Sequence, residues 1–161
     1  MTDRKPLPGK LAFSRDLFVL LFLLRGMPFV DLAFLRRCDL QGNVITYHRR
    51  KTSRKLTVVV GKEAMEIIQK YMYAIPDSPY LFPIIQNPGK DEYGQYARML
   101  RLQNYRLTQV ANILGIRDRL STYTARHTWA TTALRQNYNS SLICDAMGHS
   151  SVKVTETYFQ P

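Results

Sequence analysis

The reading turns on three consecutive stretches: STYTARHTWATTALRQ at residues 121–136, SSLICDAMGH at 140–149 and SSVKVTETY at 150–158. Ser121 or Thr122 can cap a helix that runs through Trp129 to about Gln136. Tyr123 and Arg126 stand three residues apart and therefore share one face of it. Ser140 to Met147 predicts a short helix stopped by Gly148, which puts His149 at the start of the next one, capped by Ser150. Tyr158 follows after roughly two helical turns. Four chemistry-bearing side chains, Tyr123, Arg126, His149 and Tyr158, thus crowd into the last forty residues on short helices that can fold back on one another.

Working outward, Asp91 to Leu114 has helical periodicity throughout and reads as one long helix or two. The Pro-rich stretch from Pro76 to Gly89 reads as a loop anchored by Leu81-Phe82, and Lys62 to Tyr73 as a helix. Val44–His48 and Leu56–Val60 are rich in β-branched and aromatic residues and enclose the polar stretch Arg49 to Lys55, the pattern of a β-hairpin with a basic tip. Before it, residues 1–13 read as an irregular lead-in. Ser14 is the expected cap of a helix with Leu17, Leu20, Leu21 and Leu24 on one face, and a short second helix starts near Pro28. No internal repeat or low-complexity segment is visible. The expected fold is a single domain over 1–161, α+β but mainly α, with a small antiparallel sheet.

Composition narrows the function. Lys and Arg number 23 against 12 Asp and Glu, a net charge of +11, and a basic domain of this size favours polyanions, nucleic acid first. The longest apolar run, Leu17 to Leu24, is eight residues, too short for a membrane span, and the first ten residues lack the apolar core of a secretory signal. Two cysteines, Cys38 and Cys144, are too few for a disulfide framework; both lie in apolar-periodic stretches, are expected to be buried thiols, and fit a cytoplasmic location.

The C-terminal segment resembles the tyrosine-recombinase signature of phage and mobile-element integrases. In that signature a His-x-x-Arg helix precedes Leu-Gly-His and then Thr-x-x-Tyr; here Tyr123-Thr-Ala-Arg126, Met147-Gly148-His149 and Thr157-Tyr158 stand at similar intervals, and Arg126 to Thr131 is similar to the family's Arg-His-Ser/Thr-Phe/Trp-Ala-Thr. The resemblance covers about residues 11 to 160. It implies a helical catalytic domain that cleaves and rejoins double-stranded DNA through a 3′-phosphotyrosine at Tyr158. Arg25 and Arg126 would clamp the phosphate, Lys51 at the hairpin tip would protonate the leaving 5′ oxygen, and His149 would donate to a phosphate oxygen. Tyr123 replaces the signature's first histidine and is expected to support by hydrogen bonding. Arg49, Arg50, Arg54 and Lys55 would contact DNA. The chemistry is an energetically near-neutral transesterification that needs no metal or other cofactor. The resemblance further implies self-association on DNA, as a tetramer of the full-length protein, and a separate N-terminal DNA-clamping domain outside this chain.

One departure leaves an alternative open. The family's first arginine precedes its acid-Leu pair by three residues, but Arg25 precedes Asp31-Leu32 by six, and strict register places Pro28 there. Either the Gly26–Pro28 segment re-aims Arg25, or another basic residue such as Arg49 or Arg50 takes the role. Three other functions compete. A metal-dependent nuclease needs clustered carboxylates or histidines, and His48, His127 and His149 make no ligand pattern. A non-enzymatic basic DNA-binding module explains the charge alone. A type IB topoisomerase shares the chemistry, and compact size with the Gly148-His149 motif favours the recombinase.

Overall fold

A computed structural model describes residues 7–158. Its centre is helix α1 (Gly9–Leu23), whose C-terminal half is almost wholly apolar and largely covered: Leu17, Leu20 and Leu21 are fully buried, and only Val19 faces solvent. The helix starts at Gly9 instead of Ser14. Pro8 needs no donor and can precede the first turn, its carbonyl accepts from Leu11 and Ala12, and Leu11 to Phe13 extend the packing face. The expected lead-in is thus helical from Gly9 onward, and residues 1–6 lie outside the described part. Ser14 is a buried mid-helix residue, not a cap.

Leu24 ends α1, and the chain turns through Arg25 and Gly26, both at positive φ, into α2 (Phe29–Ala33). Gly26 is required here: a Cβ would meet the Arg126 Cα at 3.1 Å. A 3-10 turn (Arg37–Asp39) leads into an antiparallel sheet in the order β1 (Leu40–Gln41), β2 (Val44–His48), β3 (Lys55–Val59). Ile45, Tyr47 and Val58 face the core while Thr46, His48, Thr57 and Val59 alternate outward. The hairpin was expected; β1 carries too few residues to show a period. Cys38, expected to be buried, is exposed because it sits in the 3-10 turn and not on an apolar face; Cys144 is buried.

Helix α3 (Lys62–Tyr71) follows, and then the loop held by fully buried Leu81, Phe82, Ile84 and Ile85. Glu92 to Leu114 forms one helix, α4, capped by Asp91 at its start and by left-handed Gly115 at its end. It packs on α1, where buried Gln103 donates Nε2 to the Ser14 carbonyl at 2.8 Å. Helix α5 (Thr122–Arg135), capped by Ser121, crosses α1 as well. It carries a second small core with α6 (Ser140–Met147) and α7 (Val152–Glu156), built from Ala130, Ala133, Ile143, Met147, Trp129 and Tyr158. The cap of α7 is Ser151, one residue later than expected, so His149 lies in the turn between helices.

Leu20→Ala should lower unfolding free energy by roughly 2–5 kcal/mol in urea titrations. Val59→Ala, on the outer face of β3, should change it by no more than about 0.5 kcal/mol.

Candidate active site

Helix α5 turns Arg126 inward, 5% exposed, beneath the Arg25–Gly26 turn. Its Nη1 donates to the Gly26 carbonyl at 2.5 Å; its Nη2 donates to the Met147 carbonyl at 3.0 Å and contacts His149 Nε2 at 2.7 Å. A guanidinium only donates, so His149 Nε2 accepts and the ring proton sits on Nδ1, which donates to buried Thr155 at 2.8 Å. Burial, then the charges of Arg126, Arg49 and Lys51, push the His149 pKa down to about 4, so the imidazole is neutral at pH 7.

Tyr158 stands just past α7, 8% exposed. Its ring lies 5.5 Å from that of His149, 5.7 Å from Tyr123 and 5.8 Å from His127. Its phenol stands close enough to Tyr123 and Arg126 to act on the titration of both. Partial burial of the Tyr123 hydroxyl, then the neighbouring Tyr158 phenol, push the Tyr123 pKa up to about 12, so it is protonated at pH 7. Arg126, His149, Tyr158 and Tyr123 therefore form one connected cluster.

The hairpin tip closes over the same place. Arg49, 6% exposed, donates Nη1 to the carbonyls of Met147 (3.1 Å) and Gly148 (3.0 Å). Its Nε lies 3.5 Å from Asp31 Oδ2, an ion-pair contact too poorly directed for a hydrogen bond, while Asp31 Oδ1 accepts from the Arg50 backbone N–H at 2.9 Å. Burial raises the Asp31 pKa against the opposing pull of the Arg50 N–H and of the Arg49 and Arg126 charges. Lys51 is exposed in the turn and acts on His149 through its charge.

Arg25 is half-buried and makes no hydrogen bond to the cluster. It lines a cavity of about 550 Å³ with Phe22, Trp129, Thr132, Tyr138 and Ile143; its charge reaches Tyr47 together with those of Arg49 and Arg126, but it is not among the charges that shift His149. Of the four expected DNA-contacting residues, Arg49 is interior, held by Asp31 and the end of α6. Arg50 stacks on Phe34 at 3.8 Å, Arg54 donates to the His149 carbonyl and to Asp145, and Lys55 is exposed at the start of β3. Thr155, which orients His149, was missed; the signal was a threonine three residues before Tyr158. His127, next to Arg126 in the chain, stacks on Tyr158.

Solved structures place this architecture. The XerA recombinase matches with a TM-score of 0.63 at 19% identity, over 100% of this chain and 61% of that one. The XerH site-specific recombinase in a pre-cleavage complex with its difH substrate matches at 0.71 and 17% identity, over 98% and 46%. The Tn1549 transposon integrase with a circular intermediate DNA matches at 0.66 and 18% identity, over 100% and 63%. The fold is thus that of tyrosine-recombinase catalytic domains. Residues 7–161 match the model of the phage integrase family, and the chain belongs to that family. Tyrosine recombinase XerC of Thermodesulfovibrio yellowstonii is 26% identical over 95% of this chain; the chain spans about half (52%) of that relative's length.

Two outcomes follow from the geometry. The folded pKa of His149 lies below the usual 6.5, so its contribution is complete above pH 6.5 and is lost as pH falls toward 4. Thermal melts should show stability dropping over that window, by up to about 3 kcal/mol for this group, and His149→Gln should flatten the slope by about one proton. An unchanged slope would refute the assignment. At Gly148, φ is +65° and a Cβ would lie 2.7 Å from Arg49 Cδ and 2.8 Å from Leu56 Cδ1. Gly148→Ala should cost about 1–3 kcal/mol of stability, read in the same melts.

Proposed function

We propose that this chain is the catalytic part of a site-specific tyrosine recombinase that cuts and rejoins double-stranded DNA. The observation that carries the reading is the connected cluster of Arg126 on α5, His149 in the turn after α6 and Tyr158 just past α7, brought together beside a basic hairpin tip. A net charge of +11 supports DNA as the partner.

In the proposed step the Tyr158 Oη attacks the scissile phosphorus, and the bond from phosphorus to the 5′ oxygen breaks in line. Neutral His149, whose Nε2 carries the lone pair, accepts the phenol proton once Arg126 turns to the phosphate. Lys51, exposed in the hairpin turn, protonates the departing 5′ oxygen. The result is a 3′-phosphotyrosine and a free 5′ hydroxyl, and reversal with another strand's 5′ hydroxyl rejoins the DNA. Arg126 stabilises the charge on the five-coordinate phosphorus. Tyr123 holds the phenol by hydrogen bonding. Arg50, Arg54 and Lys55 extend the basic surface beside the site. The reading also includes cytoplasmic action, a DNA-clamping domain apart from this one, and assembly of four protomers on paired sites. Among the described residues no helix is long and apolar enough to cross a membrane.

A nicked suicide substrate incubated with the chain in EDTA should give a protein–DNA adduct that survives denaturation and is absent with Tyr158→Phe. Cutting that requires a divalent metal and leaves no adduct would support a nuclease, and binding without cutting a DNA-binding module. Binding should weaken roughly tenfold or more for a few-fold rise in salt, measured by anisotropy.

A further inference from the structure

The buried charge around the cluster does not balance. Arg49 and Arg126 are both almost fully enclosed, and both donate to one oxygen, the Met147 carbonyl, so their guanidinium groups are immediate neighbours. Asp31 is the one carboxylate set against Arg49, at 3.5 Å, and the described residues give Arg126 no carboxylate partner. Two like charges held side by side in a low-dielectric site, with one acid between them, are costly unless an anion completes them. The Arg126 pKa is lowered by burial and by the Arg49 charge, which is the signature of that repulsion.

The donors of Arg49 are divided in a telling way. Nη1 is used by the Met147 and Gly148 carbonyls, Nε faces Asp31, and no hydrogen bond joins Nη2 to any described residue. The first two contacts fix the plane of the guanidinium and leave one edge for a ligand. Arg25, the sequence-based candidate, is only half-buried and bonds to neither the Met147 nor the Gly148 carbonyl, and Pro28 has no side-chain donor.

We infer that Arg49, from the hairpin, is the second phosphate-binding arginine of the site. It pairs with Arg126 on the two non-bridging oxygens of the scissile phosphodiester, with Asp31 positioning it. This rests on the recombinase reading of the cluster and supplies the clamp that Arg25 was expected to provide. Two forks are what the chemistry asks for: as Tyr158 adds, negative charge grows on both non-bridging oxygens, and removing one preorganised donor of this kind typically costs about 10²–10³ in rate. Arg49 forms no covalent bond and gives up no proton.

The test compares Arg49→Ala, Arg49→Lys and Arg25→Ala on two suicide substrates, one with an ordinary scissile phosphate and one with a methylphosphonate there, which has one non-bridging oxygen fewer to neutralise. On the phosphate, Arg49→Ala should slow adduct formation about 10²–10³-fold, Arg49→Lys should recover part of that, and Arg25→Ala should stay within a few-fold of the unmodified chain. On the methylphosphonate the deficit of Arg49→Ala should shrink to within about tenfold, a rescue that a merely structural defect would not show. Circular dichroism establishes that each variant is folded; if Arg49→Ala is not, Arg49→Lys carries both comparisons. An equal deficit on both substrates, or a large loss in Arg25→Ala with none in Arg49→Ala, would overturn the assignment. If the unmodified chain forms no Tyr158-dependent adduct, the recombinase reading itself fails, which is a separate result.

Discussion

The C-terminal end of α6 is the point on which the site depends. The carbonyls of Met147 and Gly148 are left without helical partners where α6 stops, and they carry the negative end of its dipole. Arg126 and Arg49 satisfy them, one from α5 and one from the sheet. Elements far apart in the chain are thus tied to one helix end by charge-assisted hydrogen bonds, which are stronger than neutral ones. Gly148 makes this possible. Its left-handed backbone ends the helix, and the missing Cβ leaves room for the Arg49 side chain. The same turn delivers His149 to Arg126, and Thr155 on α7 fixes the ring from behind.

Much of this arrangement was legible in the order of residues. Periodicity marked α1, α3, α4, α5 and the hairpin because each presents a repeated apolar face or alternation to a single core. The C-terminal trio of Arg126, His149 and Tyr158 was legible because each stands at a fixed interval from a helix cap or stop. What failed to show were features set by partners distant in sequence. Ser14 has a capping side chain, but the preceding Pro8 and the apolar Leu11 to Phe13 let the helix start earlier. Cys38 was expected to be buried yet faces solvent, since it stands between Arg37 and Asp39 in a 3-10 turn with no buried face.

Arg25 and Arg49 show the same limit within the site. Arg25 ends the apolar helix at a fitting place along the chain, but its own backbone angle and that of Gly26 send it toward the Trp129 cavity. Arg49 sits in a run of basic residues, where exposure is the ordinary expectation. Only the contact with Asp31, eighteen positions upstream, and with the end of α6, about a hundred positions downstream, draws it inside. No local pattern could separate it from Arg50, which turns outward onto Phe34.

The enclosure of Tyr158 bears on how the site works. Its ring is packed among Tyr123, His127 and His149 and against Met147 and Ile143. Arg126 spends its donors on Gly26, Met147 and His149. In this arrangement Tyr158 is enclosed and the Arg126 donors are engaged, so on the proposed reading a phosphate would displace protein contacts to enter. The displaced contacts would be exchanged for stronger ones. Hydrogen bonds from Arg126 to a neutral imidazole and to carbonyls give way to bonds with an anion, which both guanidiniums prefer in a buried setting. The release also frees His149 Nε2, the lone pair that the phenol proton needs. On the proposed mechanism, phosphate entry and base activation would then be the same event. The local imbalance of charge around Arg49 and Arg126 would then draw a DNA phosphate into place.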